Sequence, residues 1–273
     1  MIAIDREPWD LASTFKSQRP IIGMVHVPAL PGAPRYEGNL DAVLEHALRD
    51  ARTLEQAGVH AILVENFHDY PFYPETKEPE TVAAMTHVAV EIRRAVSLPV
   101  GVQVLRNSWQ SSIAIASAVG GAFIRLNILT DALITDQGLI TGVAHLALRY
   151  RKFIGAEHVK ILADVYSKHG APVARRPMSV VAQDMAFRGL ADALIVSGEH
   201  SGDPPRREDI EEVRQAVPGI PIILGSGMTV DNVDLLRHAD GCIFGYGSKR
   251  DRNMSNPVDP NLTRTFLQRV ARL

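Results

Sequence analysis

Short apolar runs recur along the chain at a steady interval, each of the length of a strand buried on both faces of a parallel sheet. They lie at 21–27, 61–65, 100–105, 122–127, 160–166, 193–197, 222–224 and 242–245. Between them the pattern changes to a helical period. In segment 40–56, Leu40, Val43, Leu44, Ala47, Leu48, Ala51 and Leu54 form one apolar stripe, opposite Glu45, Arg49, Arg52 and Glu55. Gly58 then supplies a stop. Segments 81–96, 110–119, 142–154, 180–188, 207–217 and 260–270 read the same way, with a shorter helical stretch at 230–238. Eight strand–helix alternations with crossover-length connections predict an α/β fold, a single (β/α)8 barrel over residues 20–273. Residues 1–19 are expected to be a lead-in that covers the bottom of the barrel. An open doubly wound sheet is the alternative arrangement of the same elements.

Composition narrows the function classes. With 273 residues, 46% of them hydrophobic, the chain can bury a large core. A net charge of −2 leaves no electrostatic footprint for nucleic acid. The N-terminus carries early acids and lacks the apolar core of a secretory signal, and no run approaches the roughly 18 apolar residues of a spanning helix. A soluble, cytoplasmic protein is expected, with peripheral membrane association left open. Barrels of this size often pair through their helices, so a homo-oligomer is expected too. The single cysteine, Cys242, falls inside the eighth run and reads as a buried structural thiol.

In a (β/α)8 barrel the chemistry lies at the C-terminal ends of the strands, so polar residues there carry the argument. Glu65, Arg125 and Asp164 each interrupt an apolar run. A buried charge must be paired, and the plain reading is an internal ion-pair cluster that closes the core. The sharper reading gives Glu65 and Asp164 an acid/base role oriented by Arg125, or a role on a hard divalent metal. Lys168 could form a Schiff base, neutralise a phosphate, or be a solvated loop lysine. His169 is a candidate proton shuttle. His26 is either a core histidine or a substrate ligand. Asn66, Asn107, Asn127, Asp136 and Ser197, all at or just beyond strand ends, complete the candidate substrate-binding set. The polar segments at 135–140 and 197–202 are long enough to close over a ligand. No Cys/His spacing resembles a zinc site and no nicotinamide fingerprint is present.

The seventh and eighth runs end in Gly225-Ser226-Gly227 and Gly245-Tyr246-Gly247-Ser248. Loops in these two positions of a barrel commonly cradle a phosphate on backbone N–H groups, which glycine allows to approach closely. Lys249 follows directly and adds a cation. Gly225, Ser226, Gly227, Gly245, Gly247, Ser248 and Lys249 are therefore the candidate phosphate ligands.

Several strand-end phrases resemble the BtpA/SgcQ family. They are Gly23-Met-Val-His26-Val-Pro-Ala-Leu-Pro-Gly-Ala-Pro-Arg35-Tyr36, Val64-Glu65-Asn66-Phe67, Ile124-Arg125-Leu126-Asn127, Thr135-Asp136-Gln137-Gly138-Leu139-Ile140 and Ala163-Asp164-Val165-Tyr166-Ser167-Lys168-His169. Ala191 to Gly198, Gly225-Ser226-Gly227 and Asn256-Pro257-Val258-Asp259-Pro260 continue the match. The resemblance implies a phosphate-binding barrel of the ribulose-phosphate type. For its BtpA branch it implies an extrinsic, thylakoid-associated factor for photosystem I biogenesis; for its SgcQ branch, a sugar-related setting. It brings no catalytic residues, so the site list above rests on strand-end position. The leading expectation is an enzyme acting on a small phosphorylated metabolite, a sugar phosphate or nucleotide. A non-catalytic photosystem factor and a metal-dependent hydrolase are the alternatives.

Overall fold

All eight apolar runs become strands of one closed barrel. The computed structural model describes residues 7–273; the first six residues of the lead-in lie outside the described residues. In chain order the strands are β1 (Ile21–His26), β2 (Ala61–Glu65), β3 (Val100–Gln103), β4 (Phe123–Leu126), β5 (Ala132–Thr135), β6 (Gly138–Thr141), β7 (Lys160–Asp164), β8 (Gly170–Pro172), β9 (Ala193–Val196), β10 (Ile222–Leu224) and β11 (Gly241–Phe244). The ring runs β1-β11-β10-β9-β7-β4-β3-β2, every pair parallel. Because β1 pairs with both β2 and β11, the sheet has no free edge, and the open doubly wound alternative falls.

The helices are α1 (Leu11–Phe15), α2 (Leu40–Ala57), α3 (Pro79–Ala95), α4 (Trp109–Ala118), α5 (Ala144–Phe153), α6 (Met178–Gln183), α7 (Arg207–Ala216) and α8 (Pro260–Val270). Local chemistry sets their ends. Asn39 accepts a hydrogen bond from Ala42 N at 3.0 Å to start α2. Gly58, at φ 102°, ends α2 by donating to the last-turn carbonyls. Asp259 caps α8 through the N–H groups of Asn261 and Leu262, with Pro260 at the first helical position. The stretch between β10 and β11, Val230–His238, is a 3-10 helix rather than an α-helix.

Alternation along each strand divides the core into two layers. Ile21, Val25, Ile62 and Val64 pack outward against the helices. Ile22, Met24, Leu63, Phe123, Leu162, Ile195, Ile223 and Ile243 fill the barrel interior. Gly101 supplies the room for Phe123, since a Cβ there would run into the Phe123 ring. Trp9, Leu11 and Phe15 join this inner layer. The Phe15 ring meets Phe123 edge-on, with centroids 5.6 Å apart, and so stoppers the N-terminal end of the barrel. Cys242 is fully buried, and burial pushes its thiol far above its ordinary range.

One element departs from the sequence expectation. Segment 135–140 is not an open loop but the turn of a β5–β6 hairpin, which with β8 makes a three-stranded antiparallel sheet in the order β6-β5-β8. Leu133 and Ile140 bury one face of it against Ile128, while Ile134 and Leu139 face outward. The strands are only three or four residues long and lie inside the two crossovers that flank β7, too short to register as a period.

Candidate active site

Four polar side chains at the C-terminal ends of neighbouring strands share one chamber. They are Glu65 at the end of β2, Gln103 at the end of β3, and Arg125 with Asn127 on and just after β4. The cavity has a volume of about 200 Å³ and is also bordered by His26, Arg106, Lys168, His169, Ser226 and Tyr246.

Arg125 and Asp164 form a buried two-pronged ion pair. Arg125 Nε and Nη2 donate to Asp164 Oδ2 and Oδ1 at 3.1 and 2.9 Å. Asn127 Nδ2 donates to the same Oδ2 at 2.7 Å, and Gln103 Nε2 donates to Asn127 Oδ1 at 3.2 Å. Burial works against the Arg125 charge, but Asp164 and Glu65 raise its pKa on balance. Both Asp164 oxygens are engaged, so this carboxylate is an anchor for its neighbours.

Glu65 differs in kind. It is 6% exposed, and among the described residues nothing donates to its carboxyl. Burial raises its pKa against the pull of Arg125 and Lys168. An acid that faces a cavity, holds its proton more tightly than usual and lies near a guanidinium is poised for proton transfer. Lys168 also extends into the cavity without an ion-pair partner among the described residues. Burial, then the Arg125 charge, lowers its pKa to about 8. His26 is buried edge-on to Phe67 at 4.8 Å between centroids. Burial, then Lys249, lowers its pKa well below the usual imidazole value, so it sits neutral, with Nδ1 unpartnered.

Arg106 is a cavity residue that the sequence reading did not single out. It donates through Nη2 to Ser167 Oγ at 3.0 Å and to the Lys168 carbonyl, and through Nη1 to Asn127 Oδ1 at 3.5 Å. Its sequence signal is a charge just past the third apolar run, next to Asn107. Asn107 instead brackets the backbone of Ile128, accepting from its N and donating to its O, both at 2.9 Å. Gln103, Phe67 and Tyr246 also line the chamber, beyond the residues expected from the sequence.

Other candidates are placed elsewhere. Asn66 ties Asp69 to Leu105 N at 2.8 and 2.7 Å. Asp136 occupies the β5–β6 turn, outside the cavity wall. Ser197 is tucked beneath Gly225, where its Oγ would meet any added Cβ. His169, by contrast, stays at the border of the cavity, exposed, with its Nε2 2.9 Å from Ser201 Oγ.

The two glycine turns split. Ser226 and Gly245 border the cavity. Gly227 adopts φ 91°, and a Cβ on it would strike the Asp203 backbone, so the segment after β9 sits directly on this turn. Ser226 Oγ accepts from Gly202 N at 3.1 Å across the same contact. Gly247 packs against the Met228 carbonyl, and the buried Ser248 Oγ donates to Gly245 O at 2.6 Å. Lys249 corrects the sequence reading most sharply. It is fully buried and ion-paired to Asp50 of α2 at 2.6 Å, so its charge is committed to a carboxylate rather than offered to a phosphate. Among the described residues, no three His, Cys, Asp or Glu side chains converge as a metal cage. No described helix is long and apolar enough to cross a membrane.

Comparison with known proteins fits this architecture. The barrel resembles N-(5'-phosphoribosyl)anthranilate isomerase from Pyrococcus furiosus at a TM-score of 0.54 and 12% identity, covering 93% of this chain and 100% of that one. It resembles KGPDC from Streptococcus mutans at 0.55 and 11%, covering 93% and 98%. At these identities the likeness is one of fold. In sequence, the chain is 43% identical over 263 residues to the photosystem I biogenesis protein BtpA of Synechocystis, covering 96% of this chain and 91% of that protein. An uncharacterised protein of Thermococcus kodakarensis is 43% identical over 252 residues, covering 92% and 95%. An uncharacterised mitochondrial protein of Caenorhabditis elegans is 30% identical over 268 residues, covering 95% and 96%. The BtpA family model matches residues 17–272, and with these relatives it makes the chain a member of the BtpA family.

Proposed function

We propose that this chain is an enzyme acting on a small phosphorylated metabolite, a sugar phosphate or a nucleotide. One observation carries the reading: Glu65, a buried acid whose carboxyl has no hydrogen-bond partner among the described residues, shares a single cavity with the turns that follow β10 and β11. Those turns offer Ser226 and the backbone at Gly245 and Tyr246 to a phosphate, at the barrel position where such groups are commonly held. Glu65 then moves a proton on the substrate, with neutral His26 beside it. The Arg125–Asp164–Asn127 array keeps the chamber floor rigid and its charge fixed. Lyase, isomerase and glycosyl-cleaving chemistry all use a carboxyl group in this way.

The name of the Synechocystis relative favours a second reading, a non-catalytic role in photosystem I biogenesis. A binding scaffold has no need of an unsatisfied acid inside a barrel, and a relative in a nematode sits outside any photosynthetic setting. A metal-dependent hydrolase would have to hold its ion on one or two carboxylates and the substrate itself, since no three His, Cys, Asp or Glu side chains converge among the described residues.

Thermal melting against phosphorylated metabolites, each beside its dephosphorylated form, tests the proposal. A ligand at about 100 times its Kd adds about 2.7 kcal/mol. For a chain of this size that is a rise of roughly 5–10 °C. The rise should require the phosphate and vanish in Ser226→Glu. No rise across a broad panel would defeat the reading.

A further inference from the structure

Two cations in the cavity wall are in ion-pair contact with no carboxylate among the described residues. Arg125 is neutralised by Asp164, but Arg106 and Lys168 form no ion pair among the described residues. Arg106 is 7% exposed, and it donates to three neutral oxygens, on Ser167, Lys168 and Asn127. Its Nε is buried with no acceptor among the described residues. A buried cation held only by neutral acceptors is costly, and an anion is the ordinary compensation. Glu65 borders the same cavity but bonds to neither cation.

These cations stand apart from the glycine turns. The Arg106 guanidinium lies over the ends of β4 and β7, where Asn127, Ser167 and Lys168 sit. β4 is diametrically opposite β11 in the closed ring, and Gly245 and Tyr246 follow β11. The two regions therefore face one another across the mouth of the chamber. Between them, Gln103 Oε1 and His26 Nδ1 are buried without partners.

We infer that the substrate carries a second anionic group, a carboxylate or a second phosphate, at the end remote from the phosphate, and that Arg106 and Lys168 bind it. The inference rests on the phosphorylated-metabolite reading above. Arg106 presents a planar fork and Lys168 a point charge, a pairing suited to either anion. The unpartnered Gln103 and His26 atoms match hydroxyl groups along the connecting chain. The substrate class is thus a hydroxylated carbon chain with an anion at each end, a sugar-acid phosphate or a sugar bisphosphate.

Binding titrations with three six-carbon polyols test this: sorbitol 6-phosphate, 6-phosphogluconate and sorbitol 1,6-bisphosphate. They differ chiefly in the group at carbon 1, and the last two distinguish carboxylate from phosphate. At least one doubly anionic ligand should bind about tenfold or more tightly than sorbitol 6-phosphate, the range of a charge-assisted hydrogen bond. Lys168→Gln and Arg106→Gln should each shrink that advantage while leaving sorbitol 6-phosphate binding in place. Lys168→Gln keeps the test readable if loss of the Arg106 contacts prevents folding. Equal binding of all three ligands, or an advantage untouched by the substitutions, overturns the second-anion site and leaves the phosphate reading standing. Binding of ribose 5-phosphate with none of the three bound overturns it as well. Failure of every phosphorylated compound removes both.

Discussion

Glu65 and Asp164 look alike in the sequence, each an acid at the end of an apolar run, and the structure gives them different work. Asp164 is saturated by Arg125 and Asn127; Glu65 is bonded to nothing among the described side chains. Asp164→Asn should therefore destabilise the fold by about 3–5 kcal/mol, because Arg125 is left buried without its counter-charge. Glu65→Gln should leave the melting temperature within a few degrees and abolish turnover once a substrate is known. Lys249 shows why a residue can be misplaced from sequence. Its chain neighbours include Gly247, Ser248, Arg250 and Arg252, and the carboxylate that claims it, Asp50, lies 199 residues away. Lys249→Met should cost about 3–5 kcal/mol by denaturant unfolding, and adding Asp50→Asn should recover much of that loss. Burial pushes the Asp50 carboxyl up, but His46 and Lys249 hold it at about 2 on balance, below its ordinary value of 3.8. Its contribution to stability is complete above about pH 4 and fades as pH falls toward 2. An acid titration of the double variant should lack that limb.

At the scale of elements, sequence period located every barrel strand and most helices, because each carries enough residues to show its repeat. The β5-β6-β8 sheet escaped because its strands are too short and its buried face rests on three residues, Ile128, Leu133 and Ile140. It nevertheless matters to the site. β8 begins two residues after Lys168, and its pairing with β5 fixes the segment that carries this side chain. Ile134→Pro in the central strand should raise amide exchange across β5, β6 and β8 and weaken anion binding, with little change in global melting. At the other end of the barrel, α1 contributes Phe15 to the inner layer. Phe15→Ala should cost about 3–5 kcal/mol, and a loss below about 1 kcal/mol would show that the stopper bears little of the core.

For the whole molecule, the eightfold alternation made the closed barrel readable, and barrel geometry then placed the chemistry at one end. The pairing of groups inside that end was not readable, since it depends on which side chains meet across the ring. The same convergence sets a pH response. Protonated Lys168 supports anion binding below its value of about 8, and that support is lost as pH rises through it. Affinity for the doubly anionic ligand should fall above that pH in the wild type and stay flatter in Lys168→Gln, in binding titrations across pH 6.5 to 9.5. The barrel also isolates its one sulfhydryl. Cys242 lies in β11 with no solvent access and a thiolate made inaccessible by its apolar surroundings. A maleimide should pass it by, so a cysteine introduced at the chamber rim would be the sole point of attachment for a fluorophore. The native chain is in effect already a cysteine-free background for watching its own ligands arrive.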